Sequence, residues 1–449
     1  MSDLLHIGLS GLRTYRNALT ATGDNVANAE TPGYARREIH IREGVSGGQN
    51  NPIYIEDLKF GGVEAKTVGR AWDMFRAADS RYAAGTAARA ETRSRWLTNV
   101  ETALDDGPTG VGKSIGAFFN SATLLAAAPD DRLGRIAMLN ALDGAAGSIR
   151  TTATALSRVA DGVAEAAKLE VEGLNRDLAA LTEVNVALRQ AGAGRTSRAS
   201  LEDERDRLID SISARIDVSV SLDSVGVATL TLGGATSVTL VDSVNRAVIG
   251  MTSATDGRIA LTLSANGTTS PLPATSGTLA GLVDVAASTA DKRQTLEAIA
   301  AEFATQLNAW SAAGLDADGN PGAPLLDASD GARSIAALVS DPDLVAAATP
   351  GGAENGNLLA LDALRGANGV ERKWAALVSS QAQALSSARS EASVAATRRD
   401  LSFAARDEIS GVDLDREAAE LLRFQQAYNG SAKIIQIARE TIQAILDII

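Results

Sequence analysis

The sequence predicts a mainly α chain with a small β insertion: terminal coiled-coil helices that pair the N- and C-terminus, an elongated helical-bundle middle and an all-β tip. Three observations carry that reading. Apolar residues recur every seven positions at both ends of the 449 residues. The stretch from about 132 to 190 is rich in Ala and Leu and contains no proline, as a very long helix or two successive ones require. Residues 217–263 switch to a period of two, the spacing of half-buried strands.

Taken in order, Leu5, Leu12, Leu19 and Val26 stand seven apart, with Leu9 between the first two, and mark one face of a helix that Thr31, Pro32 and Gly33 terminate. Residues 36–68 read as short strands and turns. From about 72 to 212 the spacing is helical. The segments "VSVSLD", "VGVATLTLGG" and "RIALTLSANG" are the expected strands, closed by Pro271, Pro273 and Gly277. Residues 278–312 return to helix, 314–370 are loop-rich, and 371–409 form a polar, Ala-rich helix.

The last stripe is the longest. Leu414, Leu421, Tyr428, Ile435, Ile442 and Ile449 are seven apart, and Ala418, Gln425, Ala432, Arg439 and Leu446 are expected at the second seam position. Asp413 is placed to cap this helix, with Asp415 and Glu417 in its first turn, where the helix dipole favours negative charge. Stripes of matching period at both ends imply helices that pair with each other or with neighbouring copies. The expected division is 1–35 with 405–449 as a coiled-coil assembly domain, 36–215 with 277–404 as a mainly helical domain, and 216–276 as a small β domain at the far tip.

Composition removes most catalytic chemistry. There are no cysteines and two histidines, His6 and His40, so thiolate sites, disulfides and ordinary zinc sites are excluded. A net charge of −13 argues against nucleic acid and anionic lipid as partners. The N-terminus lacks a secretory signal pattern, and no run approaches the length of a membrane span.

Two motifs invite a site. "DDGPTGVGKS" matches the phosphate-loop pattern at Gly107, Gly112, Lys113 and Ser114. That pattern binds nucleotide where a buried strand feeds the glycine turn, and here Trp96, Leu97, Val100, Ala103 and Leu104 recur at helical spacing upstream. A turn between two helices is expected. "DADGNPGAPLLD" looks like a calcium loop at its first, third, fifth and twelfth positions (Asp316, Asp318, Asn320 and Asp327) but has Pro321 at the sixth, where the sharp turn needs glycine. No acid/base pair emerges from the adjacent Asp105 and Asp106, so no catalytic, cofactor or metal residue is assigned.

The segment from Gly8 to Ile39 resembles the N-terminal signature of the bacterial flagellar axial proteins, the rod, hook and hook-associated subunits. Ser10-Gly11-Leu12, Asn25-Val26-Ala27-Asn28 and Thr31-Pro32-Gly33-Tyr34 carry the likeness, with Asp24 departing from the usual asparagine pair. The C-terminus is similar to that of the hook-associated members through Ser410-Gly411-Val412, Glu417-Ala418-Ala419 and Phe424-Gln425-Gln426-Ala427-Tyr428. The resemblance implies a structural, non-catalytic subunit at the hook–filament junction. It further implies export through the flagellar type III apparatus to the extracellular flagellum. The implied partners are hook protein, a second junction protein, other copies of the chain in the axis, and an export chaperone on the C-terminal helix. Another axial subunit, hook or distal rod protein, is the alternative; a P-loop NTPase is the alternative outside the family. The assembly seam is expected on Leu5, Leu9, Leu12, Leu19 and Val26 with Leu414, Leu421, Tyr428, Ile435 and Ile442.

Overall fold

The structure is a computed structural model in which residues 2–45, 60–191, 196–233, 238–265 and 267–447 are described. Helix α1 (Ser2–Ala27) leads into an antiparallel hairpin of β1 (Arg37–Val45) and β2 (Phe60–Arg70). The body follows with α2 (Met74–Ala103), α3 (Val111–Leu125), α4 (Arg132–Gln190) and α5 (Thr196–Arg215). Strands β3 (Val218–Leu222), β4 (Ala228–Leu232) and β5 (Thr239–Val241) form one antiparallel sheet; β6 (Val248–Ser253), β7 (Ile259–Ala265) and β8 (Thr268–Pro271) form another. Helix α6 (Gly277–Ala313) runs into the loop-rich segment, which holds the two-residue strands β9 (Leu326–Asp327) and β10 (Ala336–Ala337) and the short helix α7 (Gly356–Ala360). The chain returns through α8 (Val370–Ser410) and ends in α9 (Leu414–Leu446).

The long proline-free stretch is a single helix of 59 residues, capped by the Asp131 carboxylate on the Leu133 amide. At 1.5 Å per residue it spans about 90 Å, so its two ends serve two cores. Met138, Leu142, Ile149 and Leu156 pack with Phe118, Phe119 and Phe303 and with Ile335 and Trp374 of the returning chain. Val163, Leu174, Leu178 and Leu181 pack instead with Ile209 and Ile212 of α5, Leu282 of α6 and strand residues Leu230, Leu240, Ile249 and Leu261.

This second core corrects the expectation of an all-β domain at the tip. The strands bury their apolar positions against α4, α5 and α6, so they lie along the flank of the bundle. Three short strands per sheet do not enclose a core of their own, and a helical face supplies the missing layer. The end of the bundle away from α1 and α9 is built from α3, the start of α4 and the loop-rich segment. No helix among the described residues is long and apolar enough to cross a membrane.

Candidate assembly site at the terminal helix pair and its joint

Helices α1 and α9 pack against each other. Gly8 meets Ile435, Gly11 meets Ser431, the Tyr15 and Phe424 rings stand 6.5 Å apart, and Asn25 bonds Glu417, so numbering rises on one helix as it falls on the other. The pair is therefore antiparallel. Its close approach depends on missing side chains: a Cβ at Gly8 would lie 2.5 Å from Ile435 Cγ1, and one at Gly11 would overlap the Ser431 hydroxyl.

The buried face of α1 is consequently Gly8, Gly11, Thr14, Ala18, Ala21, Thr22 and Asn25, rather than the leucine stripe. Leu5, Leu12 and Leu19 lie half-buried at the edge of that face, while Leu9 and Val26 are exposed. On α9, Leu421, Tyr428, Ile435 and Ile442 are half-buried on the side facing α1, and Leu414 is 54% exposed. The second seam position differs from the one expected. Ala418, Gln425, Ala432, Arg439 and Leu446 point away, and Glu417, Phe424, Ser431 and Ala438, one residue earlier, turn inward. Ile449 lies outside the described residues.

The hairpin holds α1 from its other side. Ser10 Oγ accepts the Val63 amide at 3.2 Å, and Thr14 Oγ1 donates to the Val63 carbonyl at 3.2 Å. Gly62, at φ +74°, comes so close that a side chain there would collide with Ser10. Ser10 and Gly11 of the motif thus face two different neighbours, hairpin and α9.

Where the pair meets the body, the remaining motif residues form a polar joint. Thr31, Pro32, Gly33 and Tyr34 make a turn closed by the Tyr34 amide on the Thr31 carbonyl at 3.1 Å; with Pro32 second and Gly33 third at φ +80°, it is a type II turn. The turn returns the chain to α1. Asn25, 1% exposed, donates to the Arg37 carbonyl at 3.0 Å and to Glu417 Oε2 at 3.0 Å, and accepts from the Arg37 amide and the Tyr34 hydroxyl at 2.8 Å each. Its hydrogen-bonding capacity is used in full. Asn28 donates to the Asp24 carbonyl and accepts from Thr31 Oγ1. On the C-terminal side, the Ser410 carbonyl accepts the Arg36 amide at 2.9 Å, Gly411 and Val412 make the link, and Asp413 caps α9 through the Asp415 and Arg416 amides. Gln425 and Gln426 are exposed.

A buried ion cluster carries the joint into the body. Arg37 pairs with Asp203 at 3.1 Å; Arg70 pairs with Asp203 at 2.7 Å and Asp206 at 2.8 Å; Arg205 reaches Asp206 at 2.9 Å. Arg81 and Arg406 share Asp210 at 2.6 and 3.0 Å. The hairpin base, α2, α5 and α8 are thereby bound at one place. Burial raises the Asp206 pKa, but the charges of Arg205, Arg70 and Arg81 outweigh it and hold the carboxyl below its ordinary value. At Asp203 burial prevails over Arg70 and Arg37, and the pKa is raised. Burial likewise raises the Tyr34 hydroxyl. Beside the cluster, Pro32, Gly33, Trp72, Arg81, Gly411 and Val412 help line an open groove of about 730 Å³.

The phosphate-loop match joins α2 to α3, with no strand before it. The position a phosphate would take at the start of α3 belongs to Asp106, whose Oδ1 accepts the Gly112 amide at 3.2 Å and the Trp374 indole N–H at 2.8 Å. In the calcium-like segment, Asp316 Oδ1 is engaged by the Asp318 and Asn320 amides. Among the described residues no group of three or more acids or histidines is placed to hold a metal. His6 and His40 are exposed.

Comparison with known proteins agrees with this architecture. Residues 97–326, just over half of the chain, match the family model of the flagellar hook-associated protein FlgK helical domain. Residues 405–448 match the model of the flagellar basal body rod FlgEFG protein C-terminal region. The chain is 27% identical to flagellar hook-associated protein 1 of Salmonella typhimurium over 338 residues, which cover 72% of this chain and 59% of that protein. It is 24% identical to flagellar hook-associated protein 1 of Bacillus subtilis over 494 residues, covering 97% of each. The solved flagellar hook junction protein FlgK from Burkholderia pseudomallei shares the fold at a TM-score of 0.51 and 22% identity, over 56% of this chain and 47% of that one. By its helical domain, the chain belongs to the flagellar hook-associated protein FlgK family.

Proposed function

We propose that the chain is a structural, non-catalytic subunit of the bacterial flagellum that caps the finished hook and adapts it to the filament. The observation that carries this reading is the division of labour on the terminal pair. Small residues close the inner seam, so much of the apolar surface of both helices stays outside: Leu9, Val26, Leu414, Leu422 and Ile437 are each more than two-fifths exposed. Fully burying such a side chain stabilises by about 1.5–3 kcal/mol, so contact with further helices gives a strong drive to associate. Copies of the chain in the flagellar axis would supply those helices, with residues 1–35 and 405–449 as the assembly unit.

The partners that fit are hook protein below, a second junction protein above, and an export chaperone covering α9 before passage through the flagellar type III apparatus. The motif residues at the joint would hold the pair at a fixed angle to the body. A strain lacking the chain is expected to build complete hooks and shed flagellin into the medium. Leu421→Asp and Ile435→Asp would abolish incorporation while α4 and the strands stay folded, because a charge in the seam has no partner. The match of residues 405–448 to rod proteins favours a second reading, another axial subunit. Absence of complete hooks in the deletion strain would select it.

A further inference from the structure

Helix α9 has apolar residues on more than one face. Turned by about 50°, half the step between neighbouring residues, it would keep Leu421, Tyr428 and Ile435 against α1 and bring in Ala418, Gln425, Ala432 and Arg439, the seam that heptad spacing predicts. The chain instead turns Glu417, Ser431 and Ala438 inward, and Glu417 is left 3% exposed. An unpartnered carboxylate there would be costly. Asn25 removes that cost, since its amide is fixed by two bonds to the Arg37 backbone and one from Tyr34 and has one N–H left to give, at 3.0 Å from Glu417 Oε2. Fourteen residues along the seam, the Ser431 side chain packs on the bare Cα of Gly11, where an added Cβ would lie 2.4 Å from its hydroxyl oxygen.

We infer that Asn25 and Glu417, together with the Gly11–Ser431 contact, select which face of α9 docks on α1 and so which apolar residues remain outward. A buried polar pair specifies one arrangement among several of similar hydrophobic content, as single asparagines do in coiled coils. Turning α9 would strand Glu417 away from its donor and leave the Asn25 amide unpaired. The selection acts within one chain and holds whichever partners the outer face meets.

The absence of native cysteine makes the test direct. In the full-length chain, Gly11→Cys is combined with Ser431→Cys or with Ala432→Cys, and the rate of disulfide formation under mild oxidant is compared. A Cβ at Gly11 stands 3.0 Å from Ser431 Cβ, so a separation of the helices by about 0.5–1 Å brings the pair to disulfide spacing. Tyr15→Cys with Phe424→Cys or Gln425→Cys reads the same selection without altering the glycine. The inward partner should couple at least about tenfold faster. Glu417→Leu and Asn25→Leu should reduce that preference to about threefold or less, whereas Glu417→Gln, whose amide oxygen accepts the same hydrogen, should retain it. Equal coupling at inward and outward positions in the parent, or a preference that survives Glu417→Leu, would overturn the inference. So would a loss with Glu417→Gln as large as with Glu417→Leu.

Discussion

Replacing Asn25 by leucine keeps the volume of the side chain and removes its four hydrogen bonds. The groups left behind are the Arg37 amide and carbonyl, the Glu417 carboxylate and the Tyr34 hydroxyl, and the last retains Arg37 Nε at 3.2 Å. Counting only the first three, at the lower end of the about 1–3 kcal/mol for each buried group deprived of its partner, the docking of α1 and α9 should weaken by at least about 3 kcal/mol. The loss is local, because the cores around α4 make no use of Asn25. Amide hydrogen exchange resolves this directly: peptides from α1 and α9 should exchange on the order of a hundredfold faster or more in Asn25→Leu, with α4 peptides unchanged. An acceleration under about threefold in the terminal helices would refute the reasoning. Equal acceleration in α4 would refute it too, by making the joint part of the global core.

Two further predictions concern charge and the phosphate-loop match. Asp206 has its pKa lowered in the folded chain, so it contributes stability above its ordinary pKa that is lost as pH falls toward the lowered value; Asp203, with its pKa raised, contributes stability that is lost as pH rises from the ordinary to the raised value. Urea midpoints measured across that range should therefore show less acid sensitivity in Asp206→Asn, and less loss above the ordinary carboxylate pKa in Asp203→Asn; unchanged profiles would contradict the cluster's electrostatics. Lys113→Ala should leave thermal stability within about 0.5 kcal/mol, since its side chain is exposed, whereas Asp106→Ala should destabilise by about 1–3 kcal/mol through the stranded Trp374 indole and the lost bond to the start of α3. Calorimetry with ATP should detect no binding in the parent chain.

The sequence foretells the elements well where one local pattern is enough. The Thr31–Tyr34 turn, the Asp413 cap and the Leu421–Ile442 row follow from turn chemistry, capping and heptad spacing. The inner seam escaped because hydrophobic periodicity registers large apolar side chains, and this seam is made by Gly8, Gly11 and Ser431 together with a buried Glu417. The position of the strands escaped for another reason: their core is shared with Val163 of α4 and Leu282 of α6, far apart in the chain. The ion cluster joins Arg37 to Asp203 across 166 residues, beyond any local reading. A signal for it did exist in the dense run Glu202-Asp203-Glu204-Arg205-Asp206-Arg207, more charge than one exposed helix face needs.

The most direct test of the assembly account uses residues that the isolated chain does not bury. Leu422 and Ile437 are 59% and 50% exposed, so Leu422→Asp with Ile437→Asp should leave the thermal stability of the monomer within about 1 kcal/mol. Placed on the chromosome and examined by electron microscopy, the double variant is predicted to give complete hooks without filaments and flagellin in the medium. Normal filaments carrying the variant chain at their base would contradict the account.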